Sequence, residues 1–155
     1  MTEVRSNVSF MSDTRAIRWS AWTLFVTGVS QLLVHLQTIS QLGSPPSEKA
    51  SAVYQAMSAY TVPDFPVERS ILSRYFGYSL MMAATCLLVA ALVLVAVKAM
   101  ENDPQVLRRF ARMYTGGLLV LTVISINYFI WPPTVFLLVS FGLAAFALAR
   151  FRKVA

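Results

Sequence analysis

The sequence predicts an all-α membrane protein: an antiparallel bundle of four transmembrane helices, with a short amphipathic helix in the first extracytoplasmic loop. Three observations lead there. Of 155 residues, 57% are hydrophobic and 13% charged, whereas ordinary soluble domains are roughly 25% charged. The mean hydropathy is +0.62. Four apolar stretches approach or exceed the roughly 20 residues that a helix needs to cross the hydrocarbon, and the 13 Lys and Arg residues gather at their ends.

The first span is expected over 17–42. The polar stretch before it, "MTEVRSNVSFMSDTRAIRW", is too long for a secretory n-region, and no small-residue cleavage site follows the run, so the run is read as retained. The second span is expected over 72–98 and the third over 107–130. The fourth, over 134–149, is short and should stand close to the bilayer normal. In "MENDPQVLRR" a helix stops, Asp103 caps the next one and Pro104 takes its first position. In "NYFIWPPTVF", Pro132 and Pro133 cannot continue a helix from Ile130 but are accepted at the start of another, which predicts a tight hairpin. Tyr128 and Trp131 there suit the headgroup level.

In the first loop Val53, Tyr54, Met57 and Tyr60 fall on one helical face. Ser44 or Ser47 can cap that helix, and Pro63 and Pro66 should end it. It is expected over the outer mouth of the bundle or in the outer interface.

Basic residues stay on the cytoplasmic side of a membrane protein. Arg5, Arg15 and Arg18 precede the first span. Lys98, Arg108, Arg109 and Arg112 flank the second loop, and Arg150, Arg152 and Lys153 follow the last span. Only Lys49, Arg69 and Arg74 fall on the other side, where Glu48, Asp64 and Glu68 offset them. Tails 1–16 and 151–155 are therefore expected in the cytoplasm, flanking a single domain over 17–150 in the inner (plasma) membrane. Small residues mark the expected helix contacts: Gly77, Ala84 and Ala91 at every seventh position, Gly116 with Gly117, and Ser140 with Ala144.

Thr27, Gln31, His35 and Thr38 share one face of the first span. Amides and imidazoles find no water among acyl chains, so this face should turn into the bundle or a wet cavity. The second span enters at the same depth with Arg74, Tyr75 and Tyr78, and the third leaves with Ser125, Asn127 and Tyr128. The convergence predicts a polar outer-leaflet pocket with Gln31, His35, Arg74, Tyr78 and Asn127 as ligand-binding residues. Arg74 would face an anionic or carbonyl group, and the others would hydrogen-bond it. The same residues also have structural roles, as a snorkelling arginine, belt aromatics and interhelical hydrogen bonds.

Several chemistries are excluded. No Asp or Glu lies within a span, so a carboxylate proton relay is absent. One His and one Cys cannot build a zinc site, and Cys86 has no partner for a disulfide. No phosphate-binding glycine loop and no nucleophile beside a base occurs, so no catalytic residue, metal or cofactor is assigned. The basic residues flank apolar runs instead of forming a stripe for nucleic acid.

"LLVHL", "RYFGYSL" and "NYFIWPP" together resemble a group of small bacterial four-helix integral membrane proteins. In that group a His ends the first span, an aromatic-Gly motif opens the second and an aromatic-Pro turn joins the last two. More distantly the layout is similar to DoxX-like proteins and to the emopamil-binding group. The resemblance implies a four-span inner-membrane fold. The isomerases of the emopamil-binding group use acidic and histidine residues inside the membrane, and this chain lacks the intramembrane acids. The expected function is a non-enzymatic membrane protein binding a lipid, a quinone-like molecule or another small amphiphile, or docking a partner. Alternatives are an accessory subunit of a larger membrane complex, a small homo-oligomeric transporter, and an intramembrane enzyme using His35.

Overall fold

A computed structural model describes the backbone of residues 2–62, 68–128 and 131–151, and the side chains of 14–61, 68–127 and 133–151. Pro63, Asp64, Pro66, Phe129, Ile130, Arg152 and Lys153 lie outside the described residues, as do the side chains of Arg5, Tyr128, Trp131 and Pro132. The described chain forms five helices: α1 (Thr2–Gln41), α2 (Glu48–Ala59), α3 (Ile71–Ala99), α4 (Pro104–Tyr128) and α5 (Trp131–Phe151). Between α2 and α3 a short antiparallel bridge pairs Thr61 with Ser70 and Val62 with Arg69.

Local chemistry sets the helix ends, at Ser47 and Asp103 as the sequence predicts, while α2 closes at Ala59, before Pro63. Ser47 caps α2, its hydroxyl accepting from the Ala50 amide at 3.2 Å. The helix closes at Ala59, where the Tyr60 amide donates back to the Ala56 carbonyl. Ser70 caps α3 by accepting from the Ser73 amide. Asp103 Oδ1 accepts from the amides of Gln105 and Val106 at 3.1 and 3.0 Å, which starts α4 at Pro104. Two residues separate α4 from α5, and the Ser125 and Thr134 hydroxyls meet at 2.7 Å beside that reversal. One boundary differs: α1 begins at Thr2, so the predicted N-terminal tail is helical. No Gly or Pro occurs before Gly28 to stop it.

Three helices are long and apolar enough to cross a membrane: Ile71–Ala99, Pro104–Asn127 and Pro133–Phe151. α1 is longer than any of them, but Thr, Gln, Ser and His residues dilute its apolar run. Leu88, Leu92 and Val95 on α3, Val120, Val123 and Ile126 on α4, and Leu138, Val139 and Phe146 on α5 are all exposed. Helices that are apolar all round have surfaces suited to lipid rather than water.

The chain divides into two compact units, one of Met1–Thr27 with Cys86–Ala155 and one of Gly28–Thr85. The covered faces in the first unit are narrow and mix small residues with a few larger apolar ones. On α5, Leu137, Ser140, Ala144, Ala147 and Phe151 are buried, and on α3 so are Cys86, Ala90, Val93 and Val97. Both sets alternate steps of three and four, the repeat of left-handed helix packing. The predicted Ser140–Ala144 pair is buried. The predicted Gly77–Ala84–Ala91 seam is not: all three are exposed, and a Cβ on Gly77 would meet nothing within 4 Å. Ala83 and Ala90, one residue earlier, are equally small and take the covered stripe. Gly116 and Gly117 are also exposed and open, so they make no close contact.

In the second unit no side chain of α2 is buried. Ala50, Tyr54 and Met57 are half-covered, while Val53 and Tyr60 of the predicted apolar face stand out.

Candidate functional site

Of the polar stripe on α1, two members stay on their own helix. Thr27 donates to the Thr23 carbonyl at 2.9 Å and Thr38 to the Val34 carbonyl at 2.8 Å. Such back-bonding satisfies a hydroxyl without a second helix. The other two reach α3. Gln31 Nε2 donates to Ser79 Oγ at 3.4 Å, a long contact. His35 meets the Phe76 ring edge-on, with centroids 5.6 Å apart and planes at 81°. The two rungs run 31 to 79 and 35 to 76, so α1 and α3 are antiparallel within this unit.

His35 is 6% exposed, and its Nδ1 is buried with no hydrogen-bond partner among the described residues. An imidazole nitrogen is either a donor or an acceptor, and leaving one unsatisfied in a buried setting costs about 1–3 kcal/mol. Phe76 also touches Tyr75 edge-on at 5.7 Å, so the His35 ring sits at the end of a short aromatic row. This nitrogen is the chemically distinctive atom of the cluster.

The remaining predicted residues are placed as follows. Arg74 is half-buried in the first turn of α3. Tyr78 lies one position from Ser79, on a face that leaves it 64% exposed. Asn127, in the other unit, turns its amide back on its own helix and donates to the Val123 carbonyl at 2.7 Å. Phe76 and Ser79 were not anticipated. Both stand in "RYFGYS", where the three-residue step from 76 to 79 traces the face that turns towards α1.

A second polar cluster, in the first unit, was also missed. Ser20 Oγ donates to the Ser140 carbonyl at 2.7 Å, and Ser140 Oγ donates to the Ser20 carbonyl at 2.8 Å. Each serine has one proton, and both are thereby committed. The 3.1 Å contact between Ser20 Oγ and the Tyr114 hydroxyl must then take its proton from Tyr114. All three residues are buried, Ser20 and Ser140 fully. The cluster clasps α1, α4 and α5, and with every proton assigned it has no free hydroxyl donor for a ligand. Among the described residues no three His, Cys, Asp or Glu side chains gather where a metal ion could be held.

Comparison with protein-family models, with curated proteins and with solved structures finds no match to this chain.

Proposed function

We propose that this chain is a four-span integral membrane protein without enzymatic activity. In this reading the Gln31–His35 face of α1, with Phe76 and Ser79 opposite, binds the polar end of a small amphiphile near the non-cytoplasmic surface. The observation that carries it is the buried His35 Nδ1 with its unmet hydrogen bond. A carbonyl, hydroxyl or phosphate oxygen on a lipid or quinone-like molecule would satisfy that nitrogen once the proton is placed. Arg74, near the same end of α3, suits an anionic or carbonyl group.

Two features support α1 as the fourth span. Arg18 donates to Glu101 at 3.1 Å, and Glu101 stands in the turn joining α3 to α4. A turn between two spans belongs at the membrane surface, so Arg18 belongs there too. From Arg18 to Gln41 the helix then rises roughly 35 Å at 1.5 Å per residue, more than the roughly 30 Å of hydrocarbon.

Topology is tested in a background with Cys86→Ala, which removes the single cysteine. Ser44→Cys should react with an impermeant maleimide on intact cells, whereas Ser6→Cys and Asn102→Cys should react only after permeabilisation. Labelling of positions 6 and 44 from the same side would remove α1 as a span. The site is tested by purifying the protein in mild detergent and measuring co-purifying small molecules by mass spectrometry. One amphiphile should be enriched with the wild type and fall about tenfold with His35→Ala, the equivalent of one hydrogen bond of about 1.4 kcal/mol. A His35→Ala protein that elutes normally and keeps its full complement overturns the binding site.

A further inference from the structure

Arg15, Arg18, Trp19 and Trp22 stand at i, i+3, i+4 and i+7 on α1, so they share one face. Together they line a groove of about 400 Å3. Trp19 is 65% exposed and Trp22 49%. The Arg18 side chain is partly exposed in its contact with Glu101, and among the described residues Arg15 has no ion-pair partner. The His35 site lies elsewhere on the helix and uses none of these residues.

The chemistry of the groove is selective. Two guanidiniums, one of them offset by Glu101, leave net positive charge facing an open concavity. Guanidinium presents paired N–H groups that match two phosphate oxygens. Indole has an apolar body with a single N–H, which suits the boundary between headgroups and acyl chains. The Glu101 contact puts the groove level with the turn between two apolar helices, where phosphates are found in a bilayer. A free phosphate would use the arginines and leave both indoles idle. A phospholipid uses all four side chains.

We propose that this face is a seat for an anionic phospholipid, Arg15 and Arg18 taking its phosphate and Trp19 and Trp22 lining its glycerol and upper acyl chains. It rests on the membrane reading and is independent of any ligand at His35.

The full chain, carrying Trp131→Phe so that only Trp19 and Trp22 report, is reconstituted in phosphatidylcholine nanodiscs. A minor fraction of the lipid is brominated phosphatidylglycerol in one series and brominated phosphatidylcholine in the other. Tryptophan quenching should show about a fivefold preference for the anionic lipid, the effect of roughly one basic residue at a charged surface. Arg15→Gln should cut that preference towards parity while leaving the Arg18–Glu101 pair in place, and Arg15→Gln with Arg18→Gln should abolish it. Equal quenching by both lipids overturns the proposal, as does a preference that survives the double substitution. Loss of the preference on adding millimolar inorganic phosphate also overturns it, by assigning the groove to a free anion.

Discussion

Ser140→Leu should lower the thermal midpoint in detergent by about 6 °C or more, whereas Ser140→Ala should lower it by only about 2–4 °C. The alanine variant removes hydroxyl bonds, which in membrane proteins are worth about 0.6 kcal/mol each and at most about 1.7. A chain of this size shifts by about 2–4 °C per kcal/mol. Leucine adds a different cost. Ser20 and Ser140 each donate to the other's backbone carbonyl, at 2.7 and 2.8 Å, so the two helix backbones approach within one small side chain of each other. A branched side chain at a fully buried position must push α1 and α5 apart, an overpacking cost of about 1–3 kcal/mol or more. Similar midpoints for the two variants would mean that the clasp holds by its hydrogen bonds and not by close approach.

Thr122→Val should have the opposite sign and raise the midpoint by about 3 °C or more. Thr122 is 3% exposed, and its Oγ1 is buried with no hydrogen-bond partner among the described residues. Thr115, two turns earlier on α4, shows the usual solution, donating to the Ala111 carbonyl at 2.7 Å. Replacing a buried unsatisfied hydroxyl by a methyl of the same shape recovers part of about 1–3 kcal/mol. Thr115→Val is the control and should not stabilise, because it removes a bond that exists. A fall in midpoint for Thr122→Val would show that its hydroxyl is satisfied in the membrane.

The helix ends were legible because caps are local. Asp103 before Pro104, and Ser47 before Glu48, need only the next few amides to act. The covered stripes were not legible. On α3 two adjacent stripes, Ala83–Ala90 and Ala84–Ala91, are both small, and periodicity alone cannot say which one meets a neighbour. For the same reason Ser20 passed unnoticed within "RWSAWT": serine is tolerated on any face of a membrane helix because it can bond its own backbone. Gln31 and His35 stood out because an amide and an imidazole have no such local remedy. The inward turn of α1 at these residues followed from that. Their partners Phe76 and Ser79 did not, since an aromatic and a serine are ordinary anywhere along α3.

The shallow seating of α2 has a practical consequence. None of its side chains is buried, its start is held by one serine cap, and a bridge of two residue pairs follows it. Elements of this kind open at a small fraction of the global unfolding free energy and tolerate added chain. The largely exposed stretch from Gly43 to Ser47 is thus the natural graft point for a rigid fiducial protein, giving a particle of this size enough added mass to be aligned in electron micrographs.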